Sequence, residues 1–211
     1  MAPPNGVVGI LLAGGKSSRM GGGDKCLRPL GGEPILARII DRLSPQVAEI
    51  VINANGDPSR FEAFGHPVVP DSVAGFQGPL AGVLAGLEWI KANRPRVEYA
   101  VTIATDTPFF PADLVQKFLE SPGNASGFRI AQSDAGLHPV IGLWPIGLGE
   151  ELEQSLKRGE RKVTAWTTDH GAVPVFFPPV DVGSRSIDPF FNINAPEDLA
   201  AAEALLGEAA S

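Results

Sequence analysis

The chain has 211 residues and a net charge of −7, with 44 % hydrophobic and 19 % charged residues. That balance suits a folded domain with a real core and excludes a disordered tail. The negative charge gives no general attraction for a phosphate backbone, so nucleic acid is not expected as a partner. One cysteine, Cys26, excludes an internal disulfide and a thiolate zinc cage. No run reaches the ~20 apolar residues of a membrane span, and the opening Met1-Ala2-Pro3-Pro4 lacks a basic start. The cytoplasm is therefore the default setting.

Read in chain order, Val7 to Leu12 is a nearly continuous apolar run, as a strand buried on both faces requires. A glycine-rich loop follows from Ala13 to about Lys25, and Pro34 opens a helix with Ile35, Leu36, Ile39, Ile40 and Leu43 at helical spacing. The second strand, Glu49 to Asn53, ends in the turn-like Ala54-Asn55-Gly56-Asp57-Pro58, and a short strand at Pro67 to Pro70 leads into Asp71. Pro79 starts a helix with Leu80, Val83, Leu84, Leu87 and Ile90 on one face. A strand from Tyr99 to Thr105 stops at Asp106 and Pro108, before a helix carrying Leu114, Val115, Phe118 and Leu119. Strand–helix alternation of this kind predicts an α/β fold, a mostly parallel sheet with helices on both faces.

Beyond residue 120 the pattern is less regular. Strands are expected at Phe128 to Ala131, Pro139 to Trp144 and Val173 to Phe177, and helices near Gly149 to Lys157 and Arg161 to Asp169. Asn194-Ala195-Pro196-Glu197 reads as an Asn cap with Glu three residues on, opening a last helix to about Leu206. No linker or repeat divides the chain. The expectation is one domain over 1–211, with a regular part at about 7–120 and a more elaborated part at about 121–206.

In such a sheet ligands bind beyond the carboxyl ends of the strands. Four polar features fall there: the loop Ala13 to Lys25, Asn53, Asp71 and Asp106. The loop's five glycines allow close backbone approach to an anion, and Lys16, Arg19 and Lys25 concentrate positive charge in a negative protein. Phosphate binding follows. The loop is not a Walker A motif, because Ile10 stands where the first glycine is required, and Gly-x-Gly-x-x-Gly is also missing. ATPase and Rossmann dehydrogenase readings fail at their own motifs.

The segment Leu12-Ala13-Gly14-Gly15-x-Ser17-x-Arg19-Met20-Gly21-Gly22-x-Asp24-Lys25 resembles the opening loop of the nucleotidyltransferases, and most closely that of the molybdenum cofactor guanylyltransferases. Gly78-Pro79-Leu80-Ala81-Gly82, Thr105-Asp106-Thr107-Pro108, Gly159-Glu160-Arg161 and Asn192-Ile193-Asn194-x-Pro196-Glu197 are similar to later segments of that family, in order. The resemblance spans about residues 7 to 206 and implies a three-layer, Rossmann-like nucleotidyltransferase fold. It implies transfer of GMP from GTP to the terminal phosphate of molybdenum-molybdopterin, with Mg²⁺ as cofactor. Leu12, Ala13, Gly14, Gly15, Lys25, Asn53, Asp71 and Asp106 are the implied GTP contacts; Arg19, Lys25 and Asp106 are the catalytic set, with Asp106 on the metal. Arg161 and Asn192 are acceptor-side candidates. Arg28 departs from the family pattern by adding a charge.

Other readings stay beside these. Asp71 also reads as a strand-ending turn cap and Asn53 as a turn opener, though a GTP contact is favoured for Asp71; Arg161 reads equally as an exposed residue at a helix start. Asn194 is explained by capping, whereas Asn192 has no structural role to absorb it and is free to face metal or acceptor. His138-Pro139 is placed beside the acceptor pocket, but His138 is not needed as a base, because a phosphate nucleophile is already ionised at neutral pH. Cys26 reads as a small filler, although Lys25 beside it would lower the thiol pKa. A cytidylyl or sugar-phosphate transferase on the same fold is the nearest rival, and a non-catalytic nucleotide-binding module the rival from another class. Ala13-Gly14-Gly15 favours guanylyl over cytidylyl relatives, which resemble Ala-Ala-Gly there. Docking to molybdoenzyme apoproteins or other cofactor-biosynthesis proteins is implied only at the level of the family.

Overall fold

The apolar run Val7–Leu12 forms β1, near the middle of a seven-stranded sheet. The computed structural model describes residues 6–14, 24–73, 78–122 and 126–209. After β1 come a small hairpin, β2 (Pro29–Leu30) and β3 (Glu33–Pro34), then α1 (Ile35–Leu43), β4 (Glu49–Asn53), β5 (Val68–Val69), α2 (Pro79–Asn93) and β6 (Tyr99–Ala104). They are followed by α3 (Leu114–Glu120), β7 (Arg129–Ser133), β8 (Gly136–Pro145), α4 (Gly149–Lys157), α5 (Val163–Asp169) and β9 (Val173–Phe176). A second hairpin, β10 (Val180–Val182) and β11 (Arg185–Ile187), precedes α6 (Pro196–Ala209).

The main sheet has the order β5-β4-β1-β6-β8-β7-β9. Every pairing is parallel except those of β8, which runs against both β6 and β7. The expected mostly parallel α/β sheet is present. Alternation along β1 divides the interior in two: Val7 and Leu11 enter a core shared with α1, α3 and α6, while Val8 and Ile10 enter one shared with α2, α4 and α5. Helix α2 is buried almost all round, because it lies under α4 as well as against the sheet. Gly82 and Gly86, four residues apart, face the sheet closely enough that a Cβ on Gly86 would stand 2.5 Å from Ile10 Cδ1.

The differences from the sequence reading are local. A 3-10 helix over Pro58–Phe64 continues from what reads as a plain turn, started by the Asp57 carboxylate accepting from the Ser59 N–H at 2.9 Å. Both hairpins escape a pattern search because two- and three-residue strands carry no period. Helix α5 begins at Val163, two residues later than expected, and α6 extends past Leu206 to Ala209. No helix among the described residues is long and apolar enough to cross a membrane.

The strand directions define one functional edge. Strands β1, β4, β5 and β6 end there, β7 and β9 end there, and β8 begins there. Helix α4 starts at the opposite edge, where the Ile146 N–H donates to Glu98 O just before β6, so the turn joining α4 to α5 returns to the functional edge.

Candidate active site

Asp106 lies just beyond β6, where the strand geometry breaks into a turn. Its carboxylate is one-fifth exposed and receives Lys25: Nζ donates to Oδ2 at 2.6 Å. Lys25 arrives from the first residue of a 3-10 helix, Lys25–Leu27, that closes the glycine-rich loop. Asp24 before it pairs with Arg60, which also donates to the carbonyl oxygens of Asn55 at 2.6 Å and Asp57 at 2.8 Å. That single guanidinium joins the start of the Lys25 helix to the loop after β4. Sequence reading misses Arg60; its only signal was an unpartnered Asp24 amid glycines.

The Lys25 ammonium has a second partner. It donates to Asn194 Oδ1 at 2.8 Å, leaving one of its three N–H directions for a ligand. This corrects the expectation that Asn194 caps α6. Asp198 caps it instead, its Oδ2 accepting the N–H groups of Asn194 and Ala195 at 2.9 Å each. The carboxylate one turn inside the helix reaches back over the exposed N–H groups, which releases the Asn194 side chain to face Lys25.

Asn192 reaches the same carboxylate. Turned with its nitrogen toward Asp106, its carboxamide donates to Oδ1 at 2.7 Å and Oδ2 at 2.9 Å. Thr107 Oγ1 donates to Oδ1 at 3.2 Å, and the Ile193 N–H donates to the Asp106 backbone oxygen at 2.9 Å. Lys25, Asp106, Asn192 and Asn194, distant in sequence, thus form one polar cluster.

On the other side of β1 stands a second cluster. Asn53, 3 % exposed at the end of β4, donates from Nδ2 to Asp71 Oδ1 at 3.0 Å and to the Val69 oxygen at 3.2 Å. Asn55 clasps Asp71 twice: its Nδ2 donates to Oδ2 at 2.8 Å, and its Oδ1 accepts the Asp71 N–H at 2.9 Å. Both Asp71 oxygens are therefore oriented by amide donors. Sequence reading left Asn55 as part of a turn. Between the clusters the chain after β1 is pinned on both sides: Ala13 N–H donates to Asn53 O at 2.8 Å, and Thr105 Oγ1 donates to Leu12 O at 3.0 Å. Gly14 then emerges exposed. Gly15 and Arg19 lie outside the described residues.

The remaining predicted residues sit on the same edge. Arg161 is exposed on the turn between α4 and α5. His138 packs on Phe190 at 4.6 Å between ring centres, and burial lowers its pKa from the ordinary 6.5, against a smaller opposing effect of Asp188. Cys26 corrects the expected influence of Lys25: burial, followed by the Asp24 charge, pushes the thiol up to about 11. It is a buried filler.

The residues can also be tested for a divalent cation. Among those described, no group of three or more His, Cys, Asp or Glu side chains could hold a metal by itself. One carboxylate with a neighbouring carboxamide is an oxygen set that suits Mg²⁺ brought in by substrate phosphates.

The chain resembles known proteins over most of its length. The family model described as MobA-like NTP transferase domain matches residues 9–173. A protein of Bradyrhizobium sp. (strain ORS 278) named molybdenum cofactor guanylyltransferase is 48 % identical over 201 residues, covering 94 % of this chain and 92 % of its own. One of the same name from Mesorhizobium japonicum is 47 % identical over 202 residues, covering 95 % and 96 %. Among solved structures, molybdopterin-guanine dinucleotide biosynthesis protein A from Archaeoglobus fulgidus aligns with a TM-score of 0.68 at 21 % identity, over 95 % of this chain and 99 % of its own. That likeness speaks to the fold.

Proposed function

The chain belongs to the MobA-like NTP transferase domain family, and from that premise we propose that it transfers GMP from GTP to the terminal phosphate of molybdenum-molybdopterin. The acceptor phosphate oxygen forms a bond to the α-phosphorus, the bond from that phosphorus to the bridging oxygen breaks, and pyrophosphate leaves with the electron pair. The nucleophile is ionised at neutral pH and needs no base. Catalysis is then positioning and charge neutralisation among anions.

The observation that carries this reading is the Lys25–Asp106 pair, bracketed by Asn192 and Asn194 beside the end of β1. Lys25 turns from Asp106 toward the triphosphate and, with Arg19, stabilises charge as pyrophosphate departs. Asp106 would hold Mg²⁺, with Asn192 able to present its carboxamide oxygen to the same ion. An Mg²⁺ ion held there would supply charge neutralisation for the phosphate oxygens. Leu12, Ala13, Gly14 and Gly15 serve the nucleotide, the first three from the end of β1, while Asn53 and Asp71 contact its nucleoside end. Arg161, on the functional edge but in the other half of the sheet, faces the acceptor. In this arrangement residues 7–120 serve GTP and residues 121–206 the acceptor, in cytoplasm where both substrates are at hand.

Calorimetric titration with GTP, CTP and ATP, each with and without Mg²⁺, tests the donor half. GTP should bind best with Mg²⁺, and Lys25→Ala should weaken it by about 10-fold or more, the scale of a charge-assisted phosphate contact. Equal binding of all three nucleotides, or none, would contradict the assignment.

A further inference from the structure

The two site asparagines are carried by a strap, Asp188 to Ala195, that is neither helix nor strand. Its apolar residues turn inward: Phe190 and Ile193 are buried, and Phe190 meets Phe177 edge-on at 5.5 Å. Asn192 and Asn194 turn outward, to Asp106 and Lys25. The far end is held by Asp198, and the middle by the Ile193 N–H on Asp106. What holds the near end is Asp188. The chain just before it is the β10–β11 hairpin, which is no part of the main sheet.

Asp188 makes three bonds of different kinds. Its Oδ1 accepts the Phe190 N–H at 2.8 Å, its backbone oxygen accepts the Phe191 N–H at 3.1 Å, and its Oδ2 accepts from Ser133 Oγ at 2.5 Å. Ser133 is the last residue of β7, at the functional edge of the main sheet. A hydroxyl has one proton. At 2.5 Å from a carboxylate that proton belongs to the Asp188 bond, so Ser133 Oγ is an acceptor toward the Ala135 N–H at 3.2 Å and His138 Nε2 at 2.8 Å. His138 therefore carries its proton on Nε2 and is committed to Ser133. These three side chains superficially suggest a nucleophile, base and acid, but their order is wrong: the serine sits between the other two and gives its proton to the carboxylate.

We propose that Asp188 is a positioning residue, tying the strap to β7 through Ser133 and so setting where Asn192 and Asn194 meet Asp106 and Lys25. The inference rests on the proposed GMP transfer for its kinetic consequence, but the tie itself does not. A loosened strap would still leave Asn53, Asn55 and Asp71 intact on the opposite side of β1. The nucleotide would bind, but the metal carboxylate and the phosphate-facing lysine would lose their alignment.

The test compares Asp188→Ala, Asp188→Asn and Ser133→Ala by steady-state kinetics and by amide hydrogen exchange without substrate. Asp188→Ala should lower kcat by about 100-fold while KM for GTP stays within about threefold, the pattern of misplacement without lost binding. Exchange should accelerate across Phe190 to Asn194 and stay unchanged in α2. Asp188→Asn should recover most of both, because the amide oxygen accepts from Phe190 while its nitrogen donates to Ser133, whose hydroxyl then turns to His138 in the other tautomer. Ser133→Ala should fall between. Unchanged kcat and strap exchange in Asp188→Ala would overturn the proposal. So would acceleration shared equally by α2, which marks general destabilisation. If Asp188→Ala does not fold, the same outcomes are read from Ser133→Ala against Asp188→Asn. If the wild-type protein transfers no GMP, the functional reading fails, and strap exchange alone decides whether the tie exists.

Discussion

Asp106 is the residue on which most of the chemistry converges, since Lys25, Thr107 and Asn192 all address its carboxylate. Asp106→Asn keeps the shape but removes the charge that pairs with Lys25 and that is proposed to hold Mg²⁺. Turnover should fall by about 10²–10³-fold, the range for losing one electrostatic stabiliser in a preorganised site. The far-ultraviolet spectrum should be unchanged, which separates lost chemistry from lost fold. His138 gives a second residue-scale expectation. Burial lowers its folded-state pKa below the ordinary 6.5, so the unfolded chain binds the proton more readily. Stability contributed by neutral His138 is present above about pH 6.5 and is lost as pH falls toward the folded-state value. Urea midpoints measured from about pH 7 to about pH 5 should therefore fall less in His138→Gln than in wild type. At this scale Asp106, Asn53 and Asp71 were legible as polar residues at strand ends, and Lys25 as a cation at the close of a glycine-rich loop. Asn55 and Arg60 were not. Their parts depend on a turn that brings residues 24, 55, 60 and 71 together, and no periodicity encodes that.

The elements matter through how closely they approach. Helix α2 lies on β1 and β4 through two glycines, and the consequences of filling them differ. A Cβ on Gly86 meets three carbons of Ile10 at 2.5 to 2.8 Å inside the core. Gly86→Ala should cost about 1–3 kcal/mol by overpacking, partly offset by alanine's better helix propensity. A Cβ on Gly82 instead meets Asn53 Oδ1 at 2.1 Å, pushing aside the amide that orients Asp71. Gly82→Ala should weaken GTP more than it lowers the melting temperature, and Gly86→Ala the reverse. Parallel losses in both variants would contradict this division of roles. The strands and helices themselves were largely legible, since long apolar runs and helical spacing survive in the sequence. The reversal of β8 was not, because a strand's pattern carries its faces but not its direction. Nor was the strap, where buried Ile193 stands between exposed Asn192 and Asn194 but buried Phe190 breaks the period of two, so no strand pattern marks it.

Across the whole molecule, one seven-stranded sheet supports both halves of the proposed reaction. The edge strand β5 and its neighbours β4 and β1 carry the nucleotide side, while β7, β8 and the α4–α5 turn carry the side assigned to the acceptor. Asp106, the carboxylate proposed to hold the metal, follows β6, the strand between them, so it stands where two anionic substrates would be brought together. That placement fits a chain with net charge −7 that handles phosphates: the site's cation Lys25 is local and ordered by specific partners. The most direct measurement supplies purified molybdenum-molybdopterin with an equimolar mixture of GTP and CTP plus Mg²⁺, and identifies the nucleotide joined to the pterin by mass. The account expects the guanine dinucleotide to predominate, with one pyrophosphate released per product and no product from Asp106→Asn. A cytosine dinucleotide as the main product, or pyrophosphate released without any joined product, would contradict it.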